Sequence, residues 1–184
     1  GFRLLGHAST TGFDGIRDNH DLAFADYSLR AERDLAPGHE LVVRLAVNRE
    51  DSQVSYSGLT QAEFDADPFS NPFPNDRFET QRYTGAITHG WTISPTLSLT
   101  TSAYSLYFNR DWWRQSSNSS QRPNDSSDPA CGGMANLNTT CGTEGRLREY
   151  HQYGLETRLN GETQALGADA DVEAGLRWHT ERQN

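Results

Sequence analysis

The sequence predicts an all-β fold, the wall of an antiparallel transmembrane β-barrel. Four stretches alternate apolar and polar residues with a period of two, as strands with one apolar face do. In residues 81–108, for example, Tyr83 and Ile87 share one parity and Thr84 has the other. The joins between stretches are alternately short, as at 94–96, and long. Short turns at one end and long loops at the other are typical of outer-membrane barrels, whose turns face the periplasm and whose loops face outside.

Composition supports the same class. Only 34% of the 184 residues are apolar, and the mean hydropathy is −0.77. A soluble two-layer domain normally contains more Val, Ile and Leu, whereas a barrel wall needs only one apolar parity. The net charge of −9 argues against a nucleic-acid partner, because phosphate binding calls for a basic face. There is no run of eighteen apolar residues, so no transmembrane helix is predicted.

The first three strands are predicted from residues 2 to 47. The first covers about 2–13 and is followed by a polar bend near 17–21. The second runs over 22–35 and ends in the turn at 36–39, where proline fixes φ and glycine permits a positive φ. The third covers about 41–47, with alternate apolar residues on one side. Its polar residues are expected to face the lumen of a barrel.

The remaining strands follow two long polar segments. We expect a first long loop over 49–79, then a hairpin of two strands within 81–108. A second long loop is expected over about 111–144. A sixth strand is expected at about 152–160. It is followed by a turn near 167–169 and by a seventh and last strand over about 172–181.

About seven strands result, each long enough to cross a bilayer when tilted. Single-chain bacterial barrels use even numbers of strands, so seven do not close one. The chain also begins and ends within predicted strands. We therefore expect a wall segment of a larger barrel and a piece of a longer protein.

Two stretches resemble the TonB-dependent ferric dicitrate receptors. The first contains Tyr56, Gly58-Leu59, the segment 64–69 (FDADPF) and the segment 75–78 (NDRF). The second contains the segment 153–158 (YGLETR), Gly167 and the segment 172–177 (VEAGLR). The resemblance implies a 22-stranded barrel in the outer membrane of a Gram-negative bacterium, with residues 1–184 in the barrel domain and an N-terminal plug outside them.

The same resemblance implies a function and partners. The protein would import a ferric chelate, either citrate-like or a siderophore, with energy delivered by TonB through the plug. Outer-membrane lipid and lipopolysaccharide would surround the barrel, and no nucleic acid would be bound. Iron would stay inside its chelate as substrate, so no resident cofactor is expected.

One group of residues could bind the ligand where strands enter and leave the second long loop. Guanidinium groups bind carboxylate and phosphate, and indole rings can cover an apolar part of a ligand. The alternative is that the tryptophans belong to an interfacial girdle and the arginines meet acidic lipid headgroups. The group comprises Arg110, Trp112, Trp113, Arg114, Arg146 and Arg148.

The two cysteines, Cys131 and Cys141, enclose a short polar segment of the second long loop. A disulfide between them would fit an exported compartment and contribute about 3 kcal/mol by the chain-entropy argument. The alternative is a pair of free thiols. We expect the disulfide to hold the loop over the barrel mouth.

Oxygen ligands in the first long loop suggest a weak calcium candidate. Asp65, Asp67 and Asp76, with Asn71 and Asn75, could supply carboxylate and amide oxygens. Their spacing does not match an EF-hand, and Asx-rich turns give the same composition without an ion.

Catalysis is not predicted. The six histidines are scattered, and the sequence contains no HExxH, GxSxG or CxxC motif. A different functional class remains open, namely a small secreted β-sandwich or eight-stranded barrel that acts as a binding or adhesion module. In a β-sandwich the apolar parity would form a dry core.

Overall fold

A computed structural model describes residues 1–55, 58–71, 73, 76–115, 143–165 and 167–184. These residues form one antiparallel sheet of seven strands whose spatial order follows the order of the chain. One short helix, α1 (Gln61–Ala66), lies between the third and fourth strands. The strands are β1 (Phe2–Asp14), β2 (Asp21–Ala36), β3 (His39–Gln53), β4 (Arg77–Ser94), β5 (Leu97–Gln115), β6 (Thr143–Ala165) and β7 (Ala168–Gln183).

Tight turns join the strands at one end of the sheet. Pro37 and Gly38 connect β2 to β3, and Gly38 has a φ of 75°, which glycine adopts without strain. A Cβ at Gly38 would also lie 2.9 Å from the carbonyl oxygen of Thr92. The register shifts by one residue just before this turn and again at Ser94, before the turn to β5. Such bulges increase the local twist of a strand beside its turn.

The strands extend further into the predicted loops than the apolar pattern indicated. β3 continues to Gln53 and β4 begins at Arg77, so the predicted loop 49–79 is too long. Likewise β5 continues to Gln115 and β6 begins at Thr143, inside the predicted loop 111–144. At most of these positions both faces carry polar residues, and the aromatic exceptions, Phe78, Trp112 and Trp113, do not follow an alternation confined to one face. The ladder of hydrogen bonds therefore continues after the alternation of apolar and polar residues has ended.

The helix α1 was not predicted, although a local signal for it exists. Thr60 and Glu63 form a capping box, in which the Thr60 side chain accepts from the Glu63 amide and the Glu63 carboxylate accepts from the Thr60 amide. The sequence Thr-x-x-Glu at 60–63 is typical of a helix N-terminus. Among the described residues, no helix has the length and apolarity needed to span a membrane.

The two faces of the sheet differ in chemistry. We define the apolar face by one row of paired residues across five strands, Ala31, Val43, Ile87, Ala103 and Leu155. Its large side chains are exposed, with Ile87 at 53% and Leu155 at 50%. The opposite face, the polar face, carries side chains such as those of Asn48 and Arg82, which are hydrogen bonded to each other across β3 and β4.

This arrangement does not fit the β-sandwich that was the alternative, whereas the eight-stranded barrel form of that alternative is not tested by it. A sandwich buries its apolar side chains between two sheets. The described residues form a single open sheet, and only two of their apolar side chains, those of Val42 and Phe73, are buried. An apolar face of this kind needs an apolar solvent, as the outside of a transmembrane barrel has.

Aromatic rows bound the apolar face at two heights. Tyr83 pairs with Tyr107 toward the long-loop end, and Trp91 pairs with Leu99 toward the turns. Eight residues of β4 separate the rows, which is about 27 Å along a strand. A tilt of about 40° reduces that to a band about 20 Å tall, near the height of a barrel's apolar belt.

Candidate ligand-binding site

The candidate site lies on the polar face, where β4, β5 and β6 extend beyond the row of Tyr83 and Tyr107 toward the long loops. Trp112 pairs with Phe78 on one side and with Arg146 on the other. One row closer to the belt, Arg110 pairs with Arg148. Because side chains two residues apart share a face of a strand, the register brings all five residues to the same side of the sheet.

Trp112 is the centre of this group. The guanidinium carbon of Arg114 lies 5.1 Å from the centre of the Trp112 ring, and that of Arg110 lies 5.7 Å from it. Both distances are within the range of cation–π attraction. The Phe78 ring meets Trp112 edge-on, with centres 6.1 Å apart and planes at 89°. Trp112 is therefore held by aromatic packing and has two cations at its ring.

Burial strengthens the electrostatics of this cluster. Arg114 is only 8% exposed, and Arg110, Trp112 and Arg148 are half-buried. The Nε atom of Arg110 is buried and has no hydrogen-bond partner among the described residues. A buried donor without a partner is unfavourable, so a ligand oxygen placed there would relieve the deficit.

Positive charge is concentrated between β5 and β6. Arg110 and Arg148 are directly paired, an arrangement in which like charges repel. An anion bound between them would turn that repulsion into attraction, and guanidinium groups can bind a carboxylate in bidentate fashion. Immediately closer to the belt, the rings of Phe108 and Tyr150 pack with centres 5.7 Å apart and form an aromatic floor. The arrangement suits an anionic ligand with flat or apolar parts.

Comparison with known proteins bears on the fold. No protein-family model matches the chain, and no curated protein matches it. Among solved structures it is similar to the ferric citrate transporter FecA in the unliganded form, with a TM-score of 0.80 and 17% identity over 100% of this chain. The chain has the fold of a β-barrel wall segment. Its predicted fold class is confirmed.

Two further solved structures contain a similar wall. The ferric-catecholate import receptor Fiu from E. coli K12, in its open form, matches with a TM-score of 0.68 and 13% identity over 99% of this chain. The ferripyoverdine receptor of Pseudomonas aeruginosa matches with a TM-score of 0.67 and 13% identity over 98%. The chain covers 24% of FecA, 30% of Fiu and 24% of the ferripyoverdine receptor, about a quarter of each.

The barrel wall separates the predicted site residues into two sets. Arg110, Trp112, Arg114, Arg146 and Arg148 share the polar face, and all five lie on strands, including Trp112 and Arg114, which fall inside the predicted loop 111–144.

Trp113 lies on the opposite face of the wall. It is 42% exposed and is paired with Gly145, where an added Cβ would lie 2.8 Å from the Trp113 ring. Beside it, Arg77 donates to Asp51 at 2.9 Å and pairs with Glu79 at 2.5 Å. The hydrogen bonds to Asp51 raise the pKa of the Arg77 guanidinium above its usual range. Trp113 therefore lies beside the charged residues Arg77, Asp51 and Glu79, which we call the collar, on the face opposite the arginine and tryptophan cluster.

Three aromatic residues of the site were not predicted. Phe78, Phe108 and Tyr150 join it through cross-strand register. The parity of Phe108 relative to Trp112 was readable in the sequence. The height of Phe78 relative to Trp112 is set by the tight turn between β4 and β5 with its register shift at Ser94, whereas Tyr150 is paired with Phe108 across the second long loop, whose length does not reveal the register.

The described residues of the first long loop do not form the predicted calcium site. Asp65 accepts from Gln61 at 2.7 Å, and Asp67 accepts from the Phe69 amide at 2.9 Å, as in an Asx turn. Among the described residues, no three acidic, histidine or cysteine side chains are grouped for a metal ion. Asp65, Asp67 and Asp76 are thus not brought together. Asn75 and the predicted disulfide of Cys131 and Cys141 lie outside the described residues, so the disulfide stays a prediction.

Proposed function

We propose that the chain is part of the wall of an outer-membrane, TonB-dependent receptor that imports a ferric chelate. The single observation that carries the proposal is the position of the arginine and tryptophan cluster. It lies on the polar face, at the long-loop end, on a wall with the receptor fold. A ligand arriving from outside would meet this cluster before it entered the lumen.

The chemistry of the cluster favours an anionic chelate. Arg110 and Arg114 at the ring of Trp112 offer charge and an apolar surface in one place. Ferric complexes with citrate-like or siderophore ligands carry oxygen donors that such cations bind. The iron would remain in its chelate as substrate, and the protein would bind and release the whole complex without changing it chemically.

The rest of the receptor follows as part of the same proposal. A plug domain outside residues 1–184 would take energy from TonB, and the complete barrel would contain 22 strands. The apolar face would contact outer-membrane lipid, and the collar around Trp113, Arg77 and Asp51 would lie at the level of lipopolysaccharide headgroups. The two interpretations of the tryptophans are thus divided between the two faces. Trp112 is assigned to the ligand and Trp113 to the girdle.

Uptake of radiolabelled iron tests this function. Cells with and without the gene are supplied with ferric citrate and with a panel of ferric siderophores, each at limiting concentration. We expect uptake of at least one chelate to require both the gene and TonB. Equal uptake of every chelate by cells lacking the gene would contradict the proposal.

A further inference from the structure

Two histidines meet on the apolar face at the opposite end of the wall from the ligand site. His39 directly follows the turn at Gly38, and His89 lies on the neighbouring strand, one row away. His39 is paired with Trp91 across β3 and β4, so Trp91 gives the height of the pair along the strands. Thirteen residues of β4 separate Trp91 from Phe78, which is about 44 Å along the strand. The histidine pair is therefore far from the candidate ligand-binding site.

The two imidazoles approach each other through nitrogen atoms. His39 Nδ1 and His89 Nε2 are 3.1 Å apart. The ring centres are 5.3 Å apart and the planes differ by 12°. Because the nitrogens are much closer together than the ring centres, the rings meet edge to edge instead of stacking face to face. One nitrogen donates and the other accepts, so a single proton lies between them.

The distance between these nitrogens also fits a shared metal ion. Imidazole nitrogen binds zinc at about 2.0–2.1 Å, and nitrogens 3.1 Å apart then subtend about 100° at the ion. This angle lies between the values for square-planar and tetrahedral sites. Turning both rings about their outer torsions, which are soft in histidine, directs the two lone pairs toward the ion.

The surroundings keep the pair in place and open to solvent. The Trp91 ring lies nearly parallel to His39, with centres 5.4 Å apart. Both histidines are half-buried. Since His39 is the first residue after the turn, water at the turn end can fill the remaining coordination positions.

We infer that His39 and His89 form a binding site for a divalent late transition-metal ion, with Cu²⁺ the strongest binder. Imidazole suits copper, zinc and nickel, and copper has the highest affinity of the divalent series. On binding, the proton shared by the two rings moves, by exchange with water, to the outer nitrogen of the ring that carried it, so both imidazoles bind as neutral ligands and no net proton is released. The ion would link β3 to β4 beside the turn. This site does not depend on the proposed function in iron uptake.

The test uses Cu²⁺ alone as the probe. The full-length protein is purified in detergent without a polyhistidine tag and titrated with one equivalent of Cu²⁺. Electron paramagnetic resonance is expected to give nitrogen couplings from two imidazoles in the unsubstituted protein. Signals from one nitrogen or none would contradict the site, whatever the variants do.

Variants locate the two nitrogens. His39→Gln and His89→Gln should each weaken Cu²⁺ binding at least tenfold, because loss of even an outer-shell partner weakens metal sites by about 10–100-fold. The matched control is His7→Gln, which removes an exposed histidine of β1 and should leave affinity and couplings unchanged. Circular dichroism checks that each variant keeps its strands. Equal binding by His39→Gln, His89→Gln and the control would mean adventitious copper only and would overturn the inference.

Discussion

The two faces of the same strands are matched to different surroundings. On β3, Leu45 is 50% exposed on the apolar face, while the next residue, Ala46, lies on the polar face between Ser28 and Thr84. Neither face forms a dry core. The comparison teaches that a barrel wall needs no dry core of its own when one of its faces suits lipid and the other suits water.

The two faces also differ in the strand segments nearest the long loops, but there the difference is of another kind. Trp112 and Trp113 are neighbours in the chain and lie on opposite faces at the same height. Trp112 has arginines at its ring, whereas Trp113 covers Gly145 beside the ion pairs of Arg77. Hydrophobicity no longer separates the faces here. The separation is between a cationic cluster and a collar in which Arg77 is paired with acidic groups.

The largest expected effect comes from placing a charge in the lipid. Leu45→Arg should destabilise the barrel by up to about 2–4 kcal/mol, depending on its depth in the bilayer. Ala46→Arg, the matched control at the same height, should have little effect because its neighbours Ser28 and Thr84 are small. Urea unfolding of the full-length protein in lipid vesicles measures both. Equal losses of stability would mean that the faces do not differ in solvent.

The next effect concerns charge at the rim. Arg110→Ala combined with Arg114→Ala should lower affinity for the transported ferric chelate about a hundredfold, because two charge-assisted hydrogen bonds at the lower end of their range, about 1.5 kcal/mol each, contribute about 3 kcal/mol together. Arg77→Ala removes a cation on the other face and should leave the dissociation constant unchanged. Titration calorimetry with the chelate identified by uptake gives both values. An unchanged constant in the double variant would remove Arg110 and Arg114 from the site.

A smaller effect separates the two tryptophans. Trp112→Ala should weaken chelate binding about tenfold, since it removes the ring that holds Arg110 and Arg114 by cation–π contacts. Trp113→Ala should bind the chelate as the unsubstituted protein does. The same calorimetric titration decides between them, and a larger loss for Trp113→Ala would reverse the assignment of the faces.

The smallest effect tests polar contacts within the belt. Tyr104 lies across Gly154, and its hydroxyl oxygen accepts from Arg177 at 2.7 Å and lies 2.9 Å from His179 Nδ1. Tyr104→Phe should destabilise the barrel by about 1 kcal/mol, the typical net contribution of such hydrogen bonding. Tyr153→Phe, on the apolar face and 47% exposed, should change stability by less than about 0.5 kcal/mol. Urea unfolding that ranks these two variants in the opposite order would show that Tyr104 is not held by its polar partners.

The sequence allowed the strands in the belt to be predicted because lipid requires an apolar residue at every second position. It did not allow the strand ends to be predicted. Asp51 pairs with Glu79, and Arg110 pairs with Arg148, in ladders where neither face is apolar. Backbone hydrogen bonds continue there, although apolar and polar residues no longer alternate in the sequence.

The candidate site was predicted by residue type and only partly by position. Arginine and tryptophan near 110–114 suggested either an anion site or an interfacial girdle, and the structure places all four predicted arginines on one face. Trp113 was included although its odd number already placed it on the other face. Phe78 and Tyr150 come from other strands, and their positions beside Trp112 and Phe108 depend on register, which composition does not encode.

The most direct test is labelling of single cysteines at Val43 and Arg44 in the intact outer membrane. Unsubstituted protein serves as the blank for Cys131 and Cys141. A lipid-soluble maleimide should label Val43→Cys and spare Arg44→Cys, while a small water-soluble maleimide should show the reverse preference. Equal labelling of both positions by the water-soluble reagent would contradict a wall with one lipid face and one lumenal face.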